Sequence, residues 1–235
     1  MNPADLIAKR SSMAQYTLIV GTRSWSSWSL RPFMALKATG AAFETIDIRL
    51  RQKTAPTTRD QILKFSPAGK VPVLKVEENG KTLTLWDSLA ICEALAERHP
   101  EARLWPADRD TRAVARSYAA EMHSGFPDVR EQLSMDFARK KPMPDLRDDT
   151  KIQVARIIDA WQSALETYKG DFLFGTFSVA DCMYAPMVSR FETYGVDVPA
   201  AVRAYMDKVL ALPAMQEWRL VCENEIEAGL PTTMS

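Results

Sequence analysis

Cysteine is scarce in this chain of 235 residues. Cys92, Cys182 and Cys222 lie far apart within apolar, helix-patterned stretches, which excludes a disulfide-stapled scaffold and fits a reducing compartment. Histidine is scarcer, with only His99 and His123, and there is no CxxC or HExxH, so no metal site is expected. The 9 Gly and 14 Pro show no collagen-like or low-complexity bias. Net charge is also missing: 30 Lys and Arg balance 30 Asp and Glu, so nothing global draws the chain to nucleic acid or anionic lipid. No apolar run approaches the roughly 18 residues of a membrane span, and the N-terminus lacks the apolar core of a secretory signal. These absences lead us to expect a cytoplasmic, soluble protein with no membrane or nucleic-acid partner. Residues 1–15 read as a flexible tail in which Met13 is as good a start as Met1.

What is present is an ordinary globular composition, 46% hydrophobic and 26% charged, long enough for one large domain or two small ones. Residues 16–20 alternate as a strand, residues 28–38 read as a helix stopped by Gly40, and residues 43–48 as a second strand, together a right-handed βαβ unit. A hairpin follows, with strands at 73–76 and 83–85 and a turn over 77–81 in which Asn79 and Gly80 suit positive φ. A helix over 87–98 closes this α/β region, taken as residues 16–100. After a polar linker at 101–109, strand signals vanish and residues 110–235 read as all helix. Apolar residues from Val114 to Phe137 recur every three or four positions, predicting one long helix kinked at Pro127. Further helices are expected over 155–168, 179–191, 202–209 and 215–222.

Three local features of the α/β region carry chemistry. The loop TRSWSSWSL, residues 22–30, places Ser24, Ser26, Ser27 and Ser29 where a strand gives way to a helix. Capping accounts for any one of them, but four hydroxyls exceed one cap, and a spare hydroxyl at a helix N-terminus stabilises an anion. In SPAGKVPVL, residues 66–74, Pro72 belongs at a strand start, and a cis Val71–Pro72 bond would turn the Val71 backbone outward to pair with a peptide ligand. In LWDSLAICEAL, residues 85–95, Asp87 and Ser88 open a helix. An acid, a hydroxyl and free N–H groups also match a zwitterionic amino-acid head.

In order and spacing these segments resemble the glutathione transferase superfamily, over about residues 16–225. The resemblance implies a thioredoxin-like N-terminal domain followed by an all-α C-terminal helical bundle. SVAD, residues 178–181, looks like the capping box of the family's core helix, with a folding role. SSWSLRPFMAL is similar to the serine-rich active-site segment of zeta-class enzymes, including maleylacetoacetate isomerases. Trp28 stands where those enzymes carry a cysteine, a departure that speaks against cysteine-dependent chemistry and against isomerase activity.

The resemblance implies glutathione as co-substrate and no metal. It implies catalytic hydroxyls at Ser26 and Ser27, with Ser26 in the thiolate-bonding position. Lys70 would meet the glycyl end, Val71 the cysteinyl backbone, and Asp87 with Ser88 the γ-glutamyl head. Trp25, Trp28, Glu121, His123 and Ser124 are candidates for the pocket of a small, electrophilic, largely apolar substrate. The basic set Arg49, Arg51, Lys53, Arg59 and Lys64 reads as a solvated loop face. A homodimer is implied as well. The expectation is therefore a serine-type glutathione transferase. The alternatives are a non-catalytic binding or assembly module and a glutathione-dependent isomerase or dehalogenase.

Overall fold

The computed structural model describes residues 14–231, so the tail expected over 1–15 lies outside the described residues except for its last two, and Gln15 already belongs to a strand. Strand β1 (Gln15–Gly21) pairs in parallel with β2 (Phe43–Ile48), Tyr16 opposite Phe43, and antiparallel with β3 (Val73–Glu78), Leu18 opposite Leu74. β3 and β4 (Lys81–Leu85) form the hairpin, giving the order β2-β1-β3-β4. The turn residues Asn79 and Gly80 both take positive φ, 51° and 72°, the geometry that a two-residue hairpin loop demands.

Alternation along the strands sorts residues between two faces. Leu18, Val20, Leu74 and Val76 join the main core with Leu30, Phe33 and Met34 of helix α1 (Ser27–Thr39). Ile19 and Val73 form a smaller cluster with Ile48 and Ile62 on the other face. Ile62 comes from helix α2 (Thr58–Leu63), an element absent from the sequence reading, which treated this stretch as a basic loop face. Its signal was present as the capping box of Thr57 and Asp60, in which Thr57 N–H donates to the Asp60 carboxylate at 2.9 Å. Helix α3 (Ser88–Arg98) follows β4 and packs its Ile91, Cys92 and Leu95 into the main core.

The long helix predicted from Val114 to Phe137 is not formed. Helix α4 (Arg109–Ser124) ends at Gly125, Phe126 adopts a left-handed conformation with φ 61°, and α5 (Pro127–Gln132) starts afresh with Pro127 in its first turn. Proline disfavours helical geometry at the residue before it and suits the first turn of a new helix, so the chain breaks where a kink was expected. Leu133 and Phe137 are buried nonetheless, from irregular chain. Helix α6 (Asp148–Tyr168) is followed by α7 (Val179–Tyr194), which is sheathed on all sides, then by α8 (Ala200–Ala211) and α9 (Pro213–Glu227). Trp161, Tyr184, Phe191 and Tyr205 pack ring to ring around α7, with centroids 5.3–5.6 Å from Trp161. Ser178 and Asp181 form the capping box at its start, Ser178 N–H donating to the carboxylate at 2.8 Å. Helix α1 packs against both α3 and α7, so the serine loop that precedes it lies where the sheet meets the helices.

Candidate functional site

The serine loop turns sharply: Trp25 and Ser26 N–H groups both donate to the Thr22 carbonyl, at 3.1 and 2.9 Å, and α1 begins one residue later. The four serines divide their work. Ser24 is tied to Glu225 of α9 through its hydroxyl at 2.7 Å and its N–H at 2.8 Å. Ser26 stands at the N-cap, yet its side chain accepts no cap bond. Its hydroxyl donates instead to Ser29 Oγ at 2.7 Å, which also accepts the Gly21 N–H. Ser27, the first residue of α1, has a hydroxyl that meets no partner among the described residues, so the spare hydroxyl at the positive helix end is its own.

Several groups from distant parts of the chain fix this loop. The Glu225 carboxylate accepts Arg23 N–H at 2.7 Å as well as both Ser24 donors. Trp218 Nε1 donates to the Arg23 carbonyl at 3.0 Å, and Phe137 N–H to the Ser24 carbonyl at 2.9 Å. The Arg23 side chain forks onto Asp47, at 2.8 and 3.0 Å, and lies 5.0 Å from the Trp218 ring. A cavity of about 280 Å³ between Thr22, Ile48, Arg49 and Glu225 adjoins this anchorage and includes none of Lys70, Val71, Asp87 or Ser88.

The Val71–Pro72 bond is cis, the form the strand-start reading left open and the family resemblance implies. The Val71 side chain packs on the small cluster, and its main-chain groups enter no hydrogen bond among the described residues. Lys70 is exposed beside it, following Gly69 at φ 60°. At Gly69 a Cβ would lie 2.6 Å from Arg59 Nη1, so Arg59, exposed as the sequence reading expected, lies alongside this loop.

Asp87 caps α3, accepting the Leu89 N–H at 3.3 Å, and its other carboxylate oxygen pairs with His123 Nε2 at 3.2 Å. Ser88, one residue on, is fully buried with a hydroxyl that has no hydrogen-bond partner among the described residues. A buried donor left unpaired costs about 1–3 kcal/mol. The His123 ring stands edge-on to Trp28 with centroids 5.2 Å apart, linking the head of α1, the end of α4 and the head of α3. Trp25 stands apart with Arg51 over its ring at 5.9 Å and an indole N–H that finds no partner.

The remaining pocket candidates are not brought to this cluster. Glu121 is held by Arg156 through two bonds of 2.9 Å, and the Ser124 hydroxyl donates to the Ala120 carbonyl of its own helix. The cysteines are buried, and burial pushes the Cys92 thiol up to about 12 and Cys182 and Cys222 upward too, so none is a ready thiolate. Sequence reasoning missed Glu225, which acts across some 200 residues, and Arg31, the one charge between Ser24 and Leu36 in an otherwise apolar and serine-rich segment. An isolated charge on a helix that is otherwise core-forming was the available signal.

Comparison with known proteins follows the same lines. The family model for the glutathione S-transferase N-terminal domain matches residues 25–98, and that for the C-terminal domain matches residues 144–219. Maleylacetoacetate isomerase of Rattus norvegicus is 29% identical over 198 residues, 83% of this chain and 87% of the relative. A glutathione transferase homolog from Burkholderia GL BGR1, solved with bound glutathione, superposes with a TM-score of 0.67 at 26% identity, covering 89% of this chain and 98% of its own. A maleylacetoacetate isomerase from Anaeromyxobacter dehalogenans with bound glutathione in its active site gives a TM-score of 0.63 at 25% identity, over 88% and 96% of the two chains.

Proposed function

From the premise that the chain belongs to the glutathione S-transferase superfamily and is a glutathione-dependent enzyme, we propose that it activates the glutathione thiol at the head of α1 with the hydroxyls of Ser26 and Ser27. Val71 then pairs with the cysteinyl backbone, Lys70 meets the glycyl carboxylate, and Asp87 and Ser88 take the γ-glutamyl ammonium and carboxylate. The single observation that carries this placement is the buried, unpartnered Ser88 hydroxyl at the head of α3, beside the half-exposed Asp87 carboxylate. It supplies the donor a carboxylate needs and the acceptor an ammonium needs, one residue apart.

A free thiol ionises near pH 8.5 and is mostly protonated at neutral pH. Each unit of lowering requires about 1.4 kcal/mol of preference for the anion, within reach of one charge-assisted hydrogen bond plus a helix end. The unengaged Ser27 hydroxyl can donate outright, whereas Ser26 must first give up its bond to Ser29. The thiolate attacks an electrophile seated against Trp28 and His123, and no protein nucleophile takes part. The relatives named maleylacetoacetate isomerase favour a second reading, in which the thiol adds and is then expelled, so that glutathione is regenerated.

The test combines titration with glutathione and conjugation of chlorodinitrobenzene in the wild type, Ser26→Ala and Ser27→Ala. Removing the donating hydroxyl should cost about 10- to 100-fold in kcat/KM, the worth of one hydrogen bond to a charged group. Two serine variants that both keep wild-type activity, or a protein that binds no glutathione at millimolar concentration, would falsify the assignment. With a cis-alkene diketone as substrate, which can isomerise by addition and expulsion of the thiol, net consumption of glutathione with each turnover excludes the isomerase reading.

A further inference from the structure

Arg31 lies in the middle of α1, fully buried, and none of its three guanidinium nitrogens has a hydrogen-bond partner among the described residues. The Trp28 ring lies 4.2 Å from the guanidinium carbon. Two more arginines share the interface, Arg130 half-buried and Arg190 buried. Arg130 of α5 lies 4.9 Å from the same ring and is capped by the Met122, His123 and Gly125 carbonyls, while Arg190 of α7 donates to the Arg130 and Leu133 carbonyls. No carboxylate is paired with any of the three among the described residues. The other ionisable groups that reach Arg31 are Asp87 and Cys92 of α3; Asp87 is occupied by His123 of α4, and Cys92 is a neutral thiol. Burial, and then Arg130, lower the ionisation of Arg31 to about 9, which still leaves a cation at neutral pH.

Taking a guanidinium out of water without a partner costs several kcal/mol, and an apolar side chain of similar length would avoid that cost. Position explains what the charge is for. Ser27 and Arg31 are four residues apart and so share one face of α1, one above the other. Side chains on a helix lean toward its N-terminus, and the guanidinium lies 4.2 Å from the ring of Trp28, a residue of the first turn. We infer that Arg31 is a positioning residue whose uncompensated charge, acting through the dry interior, holds the glutathione sulfur as the anion at the head of α1 without touching it. This rests on the proposed placement of glutathione and adds a third contribution to the hydroxyl and the helix end. At about 8 Å and an effective dielectric of about 20, one unit charge shifts a thiol by about 1 to 1.5 pKa units.

The test is the ultraviolet titration of glutathione thiolate bound to the wild type, Arg31→Met and Arg31→Lys, with melting temperature and glutathione affinity measured on each. Arg31→Met should raise the bound thiol pKa by about one unit, change glutathione affinity measured below that pKa less than about twofold, and melt at or above the wild-type temperature. Arg31→Lys should restore most of the pKa. If Arg31→Met does not fold, Arg31→Gln reports the same loss of charge. A thiol pKa unmoved in the uncharged variants overturns the role of Arg31 while leaving the serine site standing. A wild-type protein whose bound thiol ionises no more readily than free glutathione removes the underlying placement and this inference together.

Discussion

Removing the carboxylate of Glu225 should loosen the serine loop from a distance. In Glu225→Ala the N–H groups of Arg23 and Ser24 and the Ser24 hydroxyl, bonded at 2.7, 2.8 and 2.7 Å, lose their shared acceptor. Bonds to an ionised acceptor contribute about 1.5–3 kcal/mol each when sheltered, but Glu225 is half-buried and water can replace part of them, so the net loss is about 2–4 kcal/mol. For a chain of this size each kcal/mol moves the melting temperature by about 2–4 °C, which gives a fall of about 4–16 °C. Turnover should suffer more than affinity. The freed loop carries Ser26 and Ser27, and a displacement of about 1 Å at a reacting group can cost 100-fold in rate, whereas the proposed Val71 and Ser88 contacts to glutathione are untouched. Calorimetry and conjugation kinetics on Glu225→Ala and on Glu223→Ala, an exposed acid two residues earlier on α9, separate this from a general charge effect. If Glu225→Ala melts with the wild type and keeps its kcat, the clamp has no energetic standing and the reasoning is wrong.

Two further outcomes follow from buried groups. Burial raises the Asp181 carboxyl from 3.8 to about 6 against the bonds from Leu173 and Ser178, so folding favours its neutral form. The stability this group contributes is full below about pH 4 and is lost as pH rises through about 6. Lowering pH from about 7.5 to about 5 should therefore stabilise the wild type relative to Asp181→Asn by about 1 kcal/mol, measured by urea titration; a difference of opposite sign refutes it. Gly170 holds φ at 131°, and a Cβ there would meet the Gly175 carbonyl oxygen at 2.5 Å, backbone that cannot step aside. Gly170→Ala should cost more than about 2 kcal/mol, and a loss under about 0.5 kcal/mol contradicts that geometry.

Local rules read well in this chain because their causes lie within a turn or two. Strands β1 and β2, helix α1 with its Gly40 stop, the Asn79–Gly80 hairpin and the Ser178–Asp181 box are each decided by residues a few positions apart. The same near-sightedness carried the helical period of residues 114–137 through Pro127. The apolar spacing there reports burial, and burial is reached from irregular chain as well as from a helix. Helix α2 escaped notice because its six residues offer too little periodicity to outweigh a run of surface charge.

What the sequence by itself determined is the order of elements and the residue types gathered at the serine loop, the cis proline and the Asp87–Ser88 helix. Which donors and acceptors are free was decided only when the chain closed on itself. Ser24 and Ser27 look alike in the sequence, yet one is taken by an acid some 200 residues away and the other is left open. Arg31 reads as an ordinary interruption of an apolar helix until α3, α5 and α7 enclose it and none supplies a carboxylate. Hydrogen-bond satisfaction and desolvation are properties of the whole fold, because each depends on which distant segment returns to exclude water from the same few ångströms.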